Sequence, residues 1–416
     1  MDGFGASLIT KFWKLLESSE RTIQYFPGAG LTTLRLPIGA SDFSANAYSW
    51  DDTWDDTTLS TFSANVAPNY VWSTLQDIMS ISPIVKIFAL PWSPPAWMKS
   101  TSTMLGGNLD SGDVSIWANY LLKSVQALES KGFTPYAIGI QNEPQNSNPT
   151  YPTALVNVSL EAQVGLQLRT LLNNNGFSNV KIVGYEHNWD DATAYPVQLM
   201  QAASSAFDGV AFHCYAGSVS GQSSFHNAYP SKDIFHTECT GTLGTDWWSN
   251  IKWYMDNLFV GSPENWGRTA MMWNLALDPN GNPILPGSSS CGGGCRGVVT
   301  ISNGQYSVNE EYYVMAQTSR ALIPKDAGGP FGQRIGVTVN GNLNWALLVG
   351  AYQTGRANPS DPDKWSIVVL NWQGKHTIKY ELMVPYRSPL HKIITMVHGI
   401  LSLLQLQSNL EANKLV

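Results

Sequence analysis

The chain has 416 residues and a net charge of −7, from 24 Lys plus Arg against 31 Asp plus Glu. That acidic balance argues against a nucleic-acid partner, because such binders usually carry a basic face, and no stretch reaches the roughly 18 uninterrupted apolar residues of a membrane span. A hydrophobic share of 43% supports a large core and excludes low-complexity disorder. Charged residues are only 13%, about half the usual share, so Ser, Thr, Asn, Gln and Gly carry the surface, as suits an extracellular enzyme. Tryptophan is abundant, at 16 residues. Its N–H needs a partner when buried, so some rings are expected in an open cleft where flat rings stack on sugar faces.

Short β-rich runs recur in chain order at Gly3–Ser7, Thr33–Gly39, Ile84–Leu90, Tyr136–Gln141, Val180–Tyr185, Gly209–Tyr215, Asp233–Glu238 and Thr269–Asn274. Helix-length stretches lie between them. WANYLLKSVQALESKG and LEAQVGLQLRTLLNNNG both repeat apolar residues at i, i+3/i+4 and i+7, and both stop at Gly. Eight β/α alternations predict an α/β chain folded as a (β/α)8 TIM barrel over residues 1–325. From about Ala327 the pattern changes to short strands with turns, so residues 326–375 read as a smaller side β-sandwich. Residues 376–416 read as an atypical tail that lacks Trp, with a loosely amphipathic helical stretch over Leu390–Leu404. A membrane-surface helix and a misread end are both open there, and the second is favoured.

Cys291 and Cys295 stand in GSSSCGGGCRG. With no second Cys/His pair nearby to complete a zinc site, a small loop disulfide and an oxidising compartment are expected. Asn157-Val-Ser159 is a glycosylation sequon. The opening MDGFGAS has no basic region, apolar stretch or cleavage site, so the protein is either intracellular or has a leader upstream of this start.

In a barrel, catalytic groups sit at the C-terminal ends of strands. The fourth predicted strand ends Gln141-Asn142-Glu143-Pro144 and the seventh ends His236-Thr237-Glu238-Cys239. A lone strand-end glutamate is most often a solvated or ion-paired residue. Two of them across one barrel mouth match glycoside cleavage, which needs a proton donor and a second carboxylate on either side of the bond. Arg35 ends the second strand, where it could hold Glu238 ionised or form a structural salt bridge. His213 and Tyr215 alternate with Cys214 and are expected to face inward. Cys214 and Cys239, on neighbouring strands, could be buried thiols or a disulfide. Trp92, Trp97, Trp189 and Trp273 fall at or after strand ends, either as stacking platforms or as core, with Trp273 the first candidate for the floor of the site. Glu186 and His187 end the fifth strand and could hydrogen-bond sugar hydroxyls. No phosphate loop, Rossmann fingerprint or H-E-x-x-H motif is present, and two-carboxylate hydrolysis needs no metal or organic cofactor.

The segments MDGFGAS, LRLPIGASDFS, LPWSPPAWMK, IGIQNEPQNSNPTYP, GYEHNWD, VAFHCYAG, FHTECTG and MMWNLALD occur in this order between Met1 and Trp372. On them the chain resembles glycoside hydrolase family 30, and within it the fungal endo-β-1,6-glucanase branch. The resemblance implies a (β/α)8 barrel with a side β-sandwich and a retaining mechanism. Glu143 matches the acid/base and Glu238 the nucleophile, while Asn142 matches a residue that bonds the sugar 2-hydroxyl. Arg35, Trp92, His187, His213, Tyr215 and Trp273 complete the expected substrate site. With Glu238 close by, Glu143 is expected to have a raised pKa. The resemblance further implies a β-glucan polysaccharide as the partner, a monomer, and an extracellular or cell-wall location. Against the family pattern the side sandwich is expected to be incomplete at both ends. A glucosylceramidase or other β-glycosidase of the family, and an inactive or glucan-binding truncated product, are the alternatives.

Overall fold

The structure is a computed structural model that describes residues 1, 3–7, 29–292, 294–339, 346–372 and 400–401. Its centre is an eight-stranded parallel sheet made of β1 (Gly3–Ser7), β2 (Thr33–Pro37), β3 (Lys86–Leu90), β4 (Ala137–Gly139), β5 (Lys181–Asn188), β6 (Gly209–His213), β7 (Asp233–Glu238) and β9 (Thr269–Met272). The strand order is β7-β6-β5-β4-β3-β2-β1-β9. The sheet curls so that its two ends meet. Ile234 bridges Gly267, and the Arg268 N–H donates to the Ile234 carbonyl at 2.8 Å. The intervening β8 (Gly241–Thr242) pairs instead with β11 (Cys295–Arg296). Each of the eight predicted strands is present; β1 and β7 match their expected bounds, and the others are shifted at one or both ends.

The barrel interior is filled by one apolar layer, Phe88, Ala137, Val183, Ala211, Phe235 and Met271. Bulky residues from successive strands meet there, as a closed barrel requires. Outside run α1 (Asn69–Ile81), α2 (Val114–Ser130), α3 (Val158–Asn174), α4 (Tyr195–Ala203), α5 (Ser220–Ala228), α6 (Trp247–Tyr254), the single turn α7 (Gly261–Glu264) and α8 (Glu310–Leu322). The apolar stripe of α2, with Trp117, Leu121 and Leu128, is fully buried. Helix α2 stops where Gly132 takes a φ of +87°, a conformation open to glycine. Asn157, the sequon residue, caps α3 by accepting the Leu160 N–H at 3.1 Å. No helix among the described residues is long and apolar enough to cross a membrane.

After β9 come β10 (Ala276–Leu277), β12 (Val299–Ser302) and β13 (Gln305–Val308), a small three-stranded sheet beside the mouth. Beyond α8, β14 (Gln333–Ile335), β15 (Leu347–Thr354), β16 (Lys364–Asn371) and β17 (Ile400–Leu401) form one antiparallel sheet. Of the helix expected over Leu390–Leu404 only Ile400 and Leu401 are described, and they pair as strand β17 with β16. The rest of the expected tail lies outside the described residues.

Two irregularities decide where the functional side chains point. The β5–β6 ladder shifts register between Gly184 and His187, and the β6–β7 ladder shifts between Phe212 and His213. Such slips re-aim the side chains beyond them, and both occur where the strands reach the mouth.

Candidate active site

Arg35 lies at the centre of the mouth, fully buried. Its Nη1 donates to Glu238 Oε2, and its Nη2 donates to Asn142 Oδ1 at 2.6 Å and to Glu186 Oε2 at 3.2 Å. Burial works against the guanidinium charge, but Glu186 and Glu238 outweigh it and lift its pKa above the ordinary value. Glu238 is held from the other side by the Tyr215 hydroxyl, which donates to Oε1 at 2.9 Å. One carboxylate is thus fixed by a cation on one oxygen and a phenol on the other.

Glu143 faces a different set. Its Oε1 lies 3.0 Å from His213 Nδ1 and 3.7 Å from His187 Nδ1. Its Oε2 accepts from Asn146 Nδ2 at 2.8 Å, and Asn146 also donates to the Tyr151 hydroxyl at 3.1 Å. Glu143 itself has a φ of +45°, a left-handed backbone that non-glycine residues rarely adopt and that costs of order 1–3 kcal/mol. Burial alone would push its pKa up, but the two histidines outweigh burial and hold the carboxyl well below the ordinary value. The raised value expected from like-charge repulsion is therefore corrected. A cation stands between the two glutamates, and the repulsion is not the deciding force.

That cation is His213. It is fully buried, with Nδ1 toward Glu143 and Nε2 3.5 Å from Glu186 Oε2. Burial would lower its pKa, but Glu238, Glu143 and Glu186 together raise it to about 9. The sign is then definite. A His that gains partners on folding stabilises the fold fully below its unfolded pKa, near 6.5, and the gain is lost as pH rises toward 9. The melting temperature should therefore fall between about pH 6.5 and 9, and His213→Gln should flatten that slope. Equal slopes in a pH series of melting scans would refute the protonated state.

Glu143, His187 and His213 place one polar atom each within 4.8 Å of the others, close enough to hold a cation. The Glu143–His213 hydrogen bond accounts for the closeness of that pair without one.

The remaining predicted residues divide. Asn142 is buried beside Arg35, and His187 lies over Glu143. Trp92 and Trp273 do reach the mouth, but each is only 2% exposed. Their rings stack on each other at 4.9 Å, Phe43 abuts Trp273 edge-on, and the Arg35 guanidinium covers Trp92 at 4.7 Å. Neither presents an open face; they brace Arg35. Trp97 and Trp189 are buried as well. Glu186 pairs with Arg35 and accepts the Thr237 hydroxyl at 2.6 Å, a structural ion pair beneath the two outer glutamates. Cys214 and Cys239 form a disulfide across the ends of β6 and β7, and Cys291 is bonded to Cys295.

Two polar residues at the mouth escaped the sequence reading. Asn146 sits three residues beyond Glu143, and nothing in its spacing marks it apart from the neighbouring amides. Asp42 lies in the loop that follows β2 and is buried, with Oδ2 accepting from Ser290 and Oδ1 without a partner among the described residues. Burial and the nearby Glu238 and Glu143 charges push its carboxyl up to about 7. An aspartate seven positions after the strand-end arginine was the available signal.

Opposed carboxylates at the C-terminal mouth of a barrel are the arrangement that cleavage of an O-glycosidic bond requires. Residues 13–293 match the glycosyl hydrolase family 30 TIM-barrel domain. The chain is 32% identical to the endo-1,6-β-D-glucanase of Neurospora crassa over 397 residues, covering 88% of this chain and 78% of that one. It is 34% identical to endo-1,6-β-D-glucanase BGN16.3 of Trichoderma harzianum over 347 residues, covering 77% and 69%. A solved endo-β1,6-glucanase superposes with a TM-score of 0.80 at 25% identity, over 96% of this chain and 90% of that one. The chain belongs to glycosyl hydrolase family 30 and is an O-glycosyl hydrolase.

Proposed function

We propose that the chain hydrolyses β-1,6-glucan by double displacement, with Glu238 as nucleophile and Glu143 as acid and then base. The observation that carries this is the shared position of His213 Nδ1, 3.0 Å from Glu143 and 3.8 Å from Glu238. The two facing oxygens are then no more than roughly 7 Å apart. That bound takes in the retaining spacing of about 5–5.5 Å and lies at the foot of the inverting range. The endo-1,6-β-glucanase activity for which the two fungal relatives are named supports the linkage.

In the first step Glu238 attacks the anomeric carbon. The glycosidic C–O bond breaks as the leaving oxygen takes a proton from Glu143. That proton is stored on His213 in the free site and reaches Oε1 along the 3.0 Å hydrogen bond. In the second step Glu143 removes a proton from water, whose oxygen attacks the same carbon and frees Glu238. Asn142 gives its amide oxygen to Arg35, which turns its N–H2 end toward a sugar hydroxyl. Two disulfides and a surface poor in charge fit an extracellular monomer acting on a wall polysaccharide.

The test is incubation with linear β-1,6-glucan beside β-1,3-glucan, xylan and glucosylceramide, following reducing ends and the product anomer by NMR. Selective release of β-configured 1,6-linked oligosaccharides is expected. Preferential cleavage of another substrate would refute the linkage, and an α product would refute the retaining mechanism.

A further inference from the structure

The mouth buries its tryptophans, yet Trp247 is 49% exposed and Tyr313 42% exposed. We propose that these two rings form a second glucan-binding surface on the barrel rim, which holds a long β-1,6-glucan strand outside the catalytic mouth. The proposal rests on the reading of the substrate given above.

Trp247 opens α6, nine residues after Glu238. Tyr313 lies in the first turn of α8. Helices that follow barrel strands begin at the catalytic end, so both rings stand on the same side of the barrel as Glu143 and Glu238. The connection is short and built. Arg296, on β11, donates to the Thr242 carbonyl at 2.9 Å and to Glu311 Oε1 at 2.7 Å. Asn250 Nδ2 bonds Thr245 Oγ1 at 2.7 Å and Glu310 Oε1 at 2.9 Å, which ties the start of α6 to the start of α8.

The rings are ordered in advance. Trp247 meets Tyr313 edge-on with centroids 6.0 Å apart and lies near-parallel to Trp248 at 6.4 Å. Preset rings lose little freedom when a ligand stacks on them. The surroundings favour a neutral, hydroxyl-rich partner. Asp246 is used as the α6 cap on the Ser249 N–H, Glu310 is paired with Arg296, and Lys252 lies over the Trp248 ring. The Thr245 hydroxyl donates to the Thr242 carbonyl at 2.7 Å and both Asn250 N–H groups are used on Thr245 and Glu310, so the two open ring faces are what the rim offers. Open aromatic faces match a pyranose, which offers an apolar C–H face for stacking. A polymer chain leaving the mouth can reach this rim, and a single sugar bound at Glu143 and Glu238 cannot.

The experiment separates binding from turnover. In the Glu238→Gln chain, affinity for linear β-1,6-glucan is measured by titration, with and without Trp247→Ala or Tyr313→Ala. Each alanine should weaken binding of the long glucan by about tenfold, the scale of one lost aromatic contact, and Trp247→Phe should restore most of it. In the otherwise unchanged enzyme the same alanines should leave hydrolysis of an aryl β-glucoside within about twofold, while slowing low concentrations of long glucan about tenfold. Unchanged glucan affinity in both alanine variants would overturn the proposal, as would equal losses on the short and long substrates. If the unmutated enzyme cleaves no β-1,6-glucan, the functional reading fails by itself. The titration still shows whether the rim binds that polymer.

Discussion

Glu238→Gln should abolish turnover, lowering the rate on β-1,6-glucan by on the order of 10⁴-fold, as expected when a covalent nucleophile is removed. The substitution keeps the shape but not the attacking oxygen. It also removes one of the two carboxylates facing the buried Arg35 guanidinium, leaving Glu186 as the ionic partner. Removing one side of a buried pair is destabilising, so the variant should also melt lower. Steady-state rates and melting scans on the same preparation separate the two effects. A folded variant retaining more than about a hundredth of the normal rate would refute the nucleophile assignment.

Glu143→Gln should behave differently, and the difference identifies the acid. A general acid contributes about 10²–10⁴-fold, and its contribution depends on how badly the leaving group needs a proton. A sugar alkoxide needs one and a nitrophenolate does not. The variant should lose most of its rate on glucan while the first step on a nitrophenyl β-glucoside is largely spared. Ground-state contacts change too. Asn146 donates to one oxygen of Glu143 and His213 lies against the other, so the new amide N–H2 must face one of these donors. Equal losses on both substrates, measured as single-turnover rates, would refute the acid role.

The barrel was legible because its strands are short, apolar and spaced by amphipathic helices, and Glu143 and Glu238 were legible because each closes such a run. Arg35 was legible as a partner for Glu238, though not as the hub that also holds Asn142 and Glu186. The electrostatics were not legible. Distance between charges sets them, and the decisive ones depend on register slips beside His187 and His213 that no local pattern encodes. His213 and Tyr215, which alternate on paper, both turn inward, but His213 stands between Glu143 and Glu238 while Tyr215 donates to Glu238. The tryptophans show the same limit. Strand ends attracted attention to Trp92 and Trp273, which are enclosed, whereas Trp247 and Tyr313 are open and lie on helices whose sequence looks ordinary.

The left-handed backbone at Glu143 is part of what the mouth costs the fold. Glu186 and Asn274 share that backbone type, with φ of +46° and +80°, and both also lie at strand ends around the mouth. Together with the buried ionic cluster they work against folding. Glycine at a strained position, or an apolar residue in place of a buried charge, should make the chain more stable. Stability and the arrangement of the mouth thus pull in opposite directions at the same residues.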